Sequence, residues 1–124
     1  MASRGQILVV DDDEAIVAFV EMALQAEGYD VVVTHDARRA LGLLSTYTPD
    51  LILLDMRMPE VNGWEFVRAY RSGSPERSPI VIMSAGRDTA KTAAELHADG
   101  AIDKPFDIDD LLATVQKHLR GGSS

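Results

Sequence analysis

Three four-residue runs along this chain consist only of large aliphatic side chains, free of Ala and Gly: ILVV at 7–10, LILL at 51–54 and IVIM at 80–83. A strand with one face in water alternates apolar and polar residues. An unbroken short apolar run marks a strand covered on both faces. Such sheets are built mostly from parallel strands joined by helical crossovers, and this restricts the fold more than any other feature. The intervening sequence agrees. Strands are expected at Ile7–Val10, Asp30–Thr34, Asp50–Leu54, Pro79–Ser84 and Ala101–Lys104, each followed by a helical stretch. After the first, Ile16, Val17, Val20, Ala23 and Leu24 recur at helical spacing, and Gly28 closes the helix. Asp36 caps ARRALGLLS, and NGWEFVRAYRSG turns Trp64, Val67 and Tyr70 inward. DTAKTAAELHADG is alanine-rich and weakly amphipathic. Asp107 caps DIDDLLATVQKHLR, whose Lys117, His118 and Arg120 suit a helix C-terminus.

The expected fold class is α/β: a (βα)5, doubly wound, five-stranded parallel sheet of order 2-1-3-4-5, the flavodoxin-like arrangement. The 124 residues make one domain, with its core at about 5–120 and GGSS (121–124) as a linker or tag remnant. Twenty acids against twelve bases give a net charge of −8, which makes nucleic acid and anionic membrane poor partners. No apolar run approaches the roughly 20 residues that span a bilayer, and the start lacks a signal-peptide pattern. Cysteine is absent, which removes disulfides and thiolate chemistry and fits the cytoplasm.

In sheets of this order, ligands lie beyond the carboxyl ends of the strands, where strands 1 and 3 diverge. There the chain places DDDE (11–14), Asp55, Ser84, and Lys104 ahead of Pro105. Asp11, Asp12 and Asp55 should converge, and converging carboxylates stay ionised cheaply only around a cation. Hard oxygen ligands with room for water suit Mg2+. An aspartate in such a place can accept a phosphoryl group as an aspartyl phosphate. Lys104 would balance the charge, and the Ser84 hydroxyl would donate to an oxygen.

The motifs ILVVDD, LILLDMRMPEVNG, the SA after strand 4, and KPF are each unspecific. In this order and at strand ends, they resemble the receiver domain of two-component response regulators from Ile7 to about Leu119. The resemblance implies that Asp55 is the phospho-acceptor, Ser84 the switch hydroxyl and Lys104 the phosphate contact. It implies Mg2+ bound by Asp12, Asp55 and the main-chain carbonyl of Arg57, with Asp11 supporting through water. It also implies a cis bond between Lys104 and Pro105. The partner would be a sensor histidine kinase or a histidine phosphotransfer protein, meeting Arg38, Arg39 and the apolar face of helix 1. A homodimer or an output domain would carry the signal. The chain would not be an enzyme on external substrates, performing only self-phosphorylation and slow autodephosphorylation.

The chain departs from the family at Ala101, where an aromatic residue is usual, and helix 4 is expected to be abbreviated. Ala101 supports an alternative, a receiver-like binding scaffold with impaired switching. An aspartyl-phosphate phosphohydrolase fits less well, since DMR supplies no second aspartate. A flavin carrier would have its phosphate repelled by the acids after strand 1. Other residues have plainer readings. Asp13 and Glu14 are helix-capping acids, Met56 and Met58 pack, and Asp99 and Asp103 are solvated. Trp64 is core or half-buried, and His35, His97 and His118 lack metal-ligand spacing.

Overall fold

The computed structural model describes residues 4–56, 63–73, 78–85 and 89–119. Five strands, β1 (Gln6–Val10), β2 (Asp30–Thr34), β3 (Leu51–Asp55), β4 (Ile80–Ser84) and β5 (Gly100–Asp103), alternate with five helices. The helices are α1 (Glu14–Ala26), α2 (Ala37–Leu44), α3 (Gly63–Gly73), α4 (Thr89–Leu96) and α5 (Ile108–His118). All strand pairs are parallel, in the order β2-β1-β3-β4-β5. The fold expected from the apolar runs is the one observed.

The runs are apolar throughout because alternate residues enter two separate cores. Leu8, Val10, Ile52, Leu54, Ile80 and Ile82 pack with α2, α3 and α4. Ile7, Val9, Leu51, Leu53, Val81 and Met83 pack with α1 and α5. All twelve are fully buried. The central strands therefore cannot slip by one residue without exchanging one core for the other.

Capping follows the sequence. Asp13 accepts from Ala15 N and Ile16 N, Asp36 from Arg38 N, and Asp107 from Asp110 N. Gly28, at φ 93, occupies the left-handed conformation that ends α1. Several boundaries differ from expectation. β3 starts at Leu51 and includes Asp55, because Asp50 accepts from Gln6 N through its side chain and donates its own N–H to Gln6 O. β4 begins at Ile80, as Pro79 has no N–H for the ladder. β5 runs from Gly100 to Asp103, leaving Lys104 just past its end.

α4 has eight residues, as the short spacing suggested. His97 ends it in the left-handed region at φ 57, and Ala98 N then donates to Ala93 O. The Arg71 guanidinium donates to the His97 carbonyl. Trp64 does not point inward; it is 40% exposed, and Phe66 fills the core beside Val67 and Tyr70. Asp99, although exposed, is not merely solvated, because its carboxylate accepts from Ile80 N at 2.8 Å. No helix among the described residues is long and apolar enough to cross a membrane.

Candidate acidic site at the sheet rim

Parallel strands deliver their carboxyl ends to one rim. Asp11 follows β1 directly, and Asp11 N donates to Thr34 O on β2 at 3.2 Å. Asp55 is the last residue of β3 and pairs with Met83 of β4. Ser84 ends β4, and its carbonyl accepts from Lys104 N at 2.8 Å. Residues separated by up to 93 positions in sequence thus share one small volume.

The Lys104 Nζ lies 3.0 Å from Asp11 Oδ2 and 3.2 Å from Asp55 Oδ1. Asp11 has no solvent exposure, and Asp55 is 5% exposed. Burying such carboxylates is unfavourable without paired charge and hydrogen bonds. Asp11 gains a further hydrogen bond from Asp13 N, at 2.9 Å. Burial opposes the Lys104 ammonium. The Asp11 hydrogen bond and charge, followed by those of Asp55, outweigh it and hold the lysine pKa above its usual value. Asp12 is exposed, and one carboxylate oxygen from each of Asp11, Asp12 and Asp55 lies within 4.8 Å of the others. Three carboxylates against one ammonium leave a formal excess of two negative charges, which one divalent cation would balance. The donor set is all oxygen, with one exposed member open to water, and it fits Mg2+.

Asp11, Asp12, Asp55 and Lys104 are therefore brought together, with Ser84 on the same rim one residue beyond the partner of Asp55. Arg57 lies outside the described residues, as do Met58 and Gly86. The Lys104–Pro105 bond is cis. The sequence reading assigned Asp11 only to metal support and missed its ion pair with Lys104. Its place directly after a buried strand, with no polar neighbour before it, was the available signal.

A five-stranded doubly wound sheet with acids at the ends of β1 and β3 and a lysine after β5 is the arrangement that the sequence motifs predict for a receiver domain. Residues 7–116 match the family model described as response regulator receiver domain, and the chain belongs to that family. The response regulator ArlR of Staphylococcus saprophyticus is 40% identical over 93% of this chain and 52% of its own length. Its counterpart in Staphylococcus aureus is 38% identical over the same shares. The chain thus spans about half the length of these curated relatives. Chemotaxis protein CheY4 of Vibrio cholerae superposes with a TM-score of 0.85 at 33% identity, covering 95% of this chain and all of that one. Full-length FixJ of B. japonicum gives a TM-score of 0.83 at 32% identity, covering 94% of this chain and 58% of that one.

Proposed function

We propose that this domain takes a phosphoryl group onto Asp55 and thereby changes which partner it binds. The observation that carries this reading is the Lys104 ammonium held between Asp11 and Asp55, with the Asp12 carboxylate alongside. Asp12, Asp55 and the Arg57 carbonyl would hold Mg2+, with Asp11 behind them. When bound, Mg2+ supplies positive charge beside the phosphoryl oxygens.

The donor is a phosphohistidine on a sensor kinase or phosphotransfer protein. A carboxylate oxygen of Asp55 bonds to phosphorus as the P–N bond to the donor imidazole breaks. The electron pair returns to that nitrogen. Lys104 keeps Asp11 and exchanges its contact with Asp55 for a phosphoryl oxygen, so the charge is met by a group already in place. The Ser84 hydroxyl donates to another phosphoryl oxygen. Water later cleaves the acyl phosphate slowly, and no external substrate is turned over.

Exposed Ala15, Ala18 and Met22 form an apolar strip on α1 where a donor can dock, and Arg38 and Arg39, exposed at the start of α2 on the other face of the sheet, are further candidate contacts. The longer relatives support a role as one domain of a larger cytoplasmic regulator, with its core at about 5–120. Acetyl phosphate or phosphoramidate with Mg2+ is expected to add one phosphoryl group, read by intact mass, and Asp55→Asn is expected to add none. Equal labelling of both proteins would sink the assignment.

Ala101 favours a second reading. It is partly buried against the α2–α3–α4 core and pairs with Ile82, two residues before Ser84. A methyl group has no rotamer with which to relay a movement of Ser84. A phosphorylated protein whose amide shifts change only around the rim would be a scaffold with impaired switching.

A further inference from the structure

We infer that the free edge of the sheet at β2 pairs with β2 of a second copy of this chain. The pairing is antiparallel, about a twofold axis through Val32, and joins two five-stranded sheets into one.

The ladder shows which backbone groups are available. Asp30 N donates to Gly5 O at 2.9 Å, and Thr34 O accepts from Asp11 N at 3.2 Å. In a parallel pair, a residue bonding its neighbour turns both its N–H and its C=O that way, and the next residue turns both outward. Asp30, Val32 and Thr34 therefore face β1, and Val31 and Val33 face out. No strand flanks β2 on that side among the described residues. β2 carries no proline and no lysine, the usual devices that blunt an edge. Its central residue, Val32, is 38% exposed.

A twofold axis at Val32 sets Val31 opposite Val33 of the partner subunit, and the reverse. These are the residues whose N–H and C=O groups point outward and have no partner among the described residues, so four hydrogen bonds form across the axis. A register shifted by one residue would pair inward-facing groups and form none.

The flanks favour a second copy as the occupant. On the α2 side lies a groove of about 490 Å³ lined by Val32, Thr34, His35 and Arg39, among others. Antiparallel alignment sets Asp30 of the partner subunit against Thr34, which shares the groove with the exposed Arg39. The Asp36 carboxylate in the same groove is already engaged by Arg38 N at the start of α2. Each edge thus carries an acidic end and a basic end, and antiparallel alignment brings unlike ends together. The contact is small beside a standard interface of roughly 1,600 Å², so association is weak and shows at high protein concentration. It leaves the acidic rim and the α1 strip uncovered.

Sedimentation equilibrium on the full chain is expected to show a monomer–dimer equilibrium that Val32→Lys weakens several-fold, by placing like charges directly opposite. Because the chain has no cysteine, Val32→Cys supplies a single thiol. Facing residues at the axis come within disulfide range, so mild oxidation should give a covalent dimer. Met22→Cys, exposed on α1, is the control. The inference is overturned if the chain is monomeric at every concentration, or if Val32→Lys dimerises as well as wild type. It is also overturned if the Val32 thiol cross-links no faster than the Met22 thiol. Capture of a foreign extended peptide at β2 by a chain that stays monomeric would count against it equally.

Discussion

Asp11 is wholly buried, and its two carboxylate oxygens are met by Lys104 Nζ and Asp13 N. The lysine is held above its usual pKa, so its ionised form is favoured in the folded protein. A group whose folded pKa is raised contributes stability in full below its unfolded pKa, here 10.5, and loses it as pH rises through the folded value. Alkaline titration followed by circular dichroism is expected to show this loss above pH 10.5, and Lys104→Met should flatten that limb. Asp12 has the opposite character, being exposed, with no cation partner among the described residues and beside two other acids. Asp12→Asn is expected to stabilise the fold without divalent cation by up to about 1 kcal/mol, as for a screened surface charge, read as a raised urea midpoint. The acidic residues were legible one by one in the sequence. Which of them Lys104 engages was not, since that depends on which carboxylate the fold buries.

At the scale of elements, α5 closes against β5 at one tight point. The His118 ring lies where a Cβ on Gly100 would stand. Burial first, then the charge of Lys117, lowers the His118 pKa, and Asp99 opposes them. A histidine with a depressed folded pKa contributes stability in full above its unfolded pKa of 6.5 and loses it as pH falls through the folded value. Amide protection factors in the last turn of α5 are expected to fall below pH 6.5, after division by the intrinsic exchange rate, which itself slows as pH falls. Gly100→Ala should push the ring into solvent and return the NMR-monitored His118 pKa toward 6.5. Existence and type of all ten elements were legible from periodicity and caps. Misreading Trp64 for Phe66 has a simple cause. Both lie within the first turn of α3, and periodicity alone does not fix the angle at which a helix meets the sheet.

At the scale of the molecule, three acids and one lysine at one rim leave that end of the domain short of positive charge. A ligand that binds only the folded state stabilises it by mass action. Mg2+ at a hundredfold excess over its Kd is expected to add about 2.7 kcal/mol, read as a raised Tm. Monovalent salt at equal ionic strength should give far less, and Asp12→Asn should lose most of the response.

The parallel sheet, its strand order, the caps and the identity of the acids and lysine at the rim were all readable from the order of residues. Those properties rest on local patterning: apolar runs, helical spacing and residues that follow a strand end. Packing in three dimensions set the rest: Lys104 bridges Asp11 and Asp55, Asp99 holds the start of β4, and β2 turns the backbone groups of Val31 and Val33 outward. Each of these depends on distances between residues far apart in the chain. Such distances are fixed by how two cores pack on one sheet, and no local pattern records them.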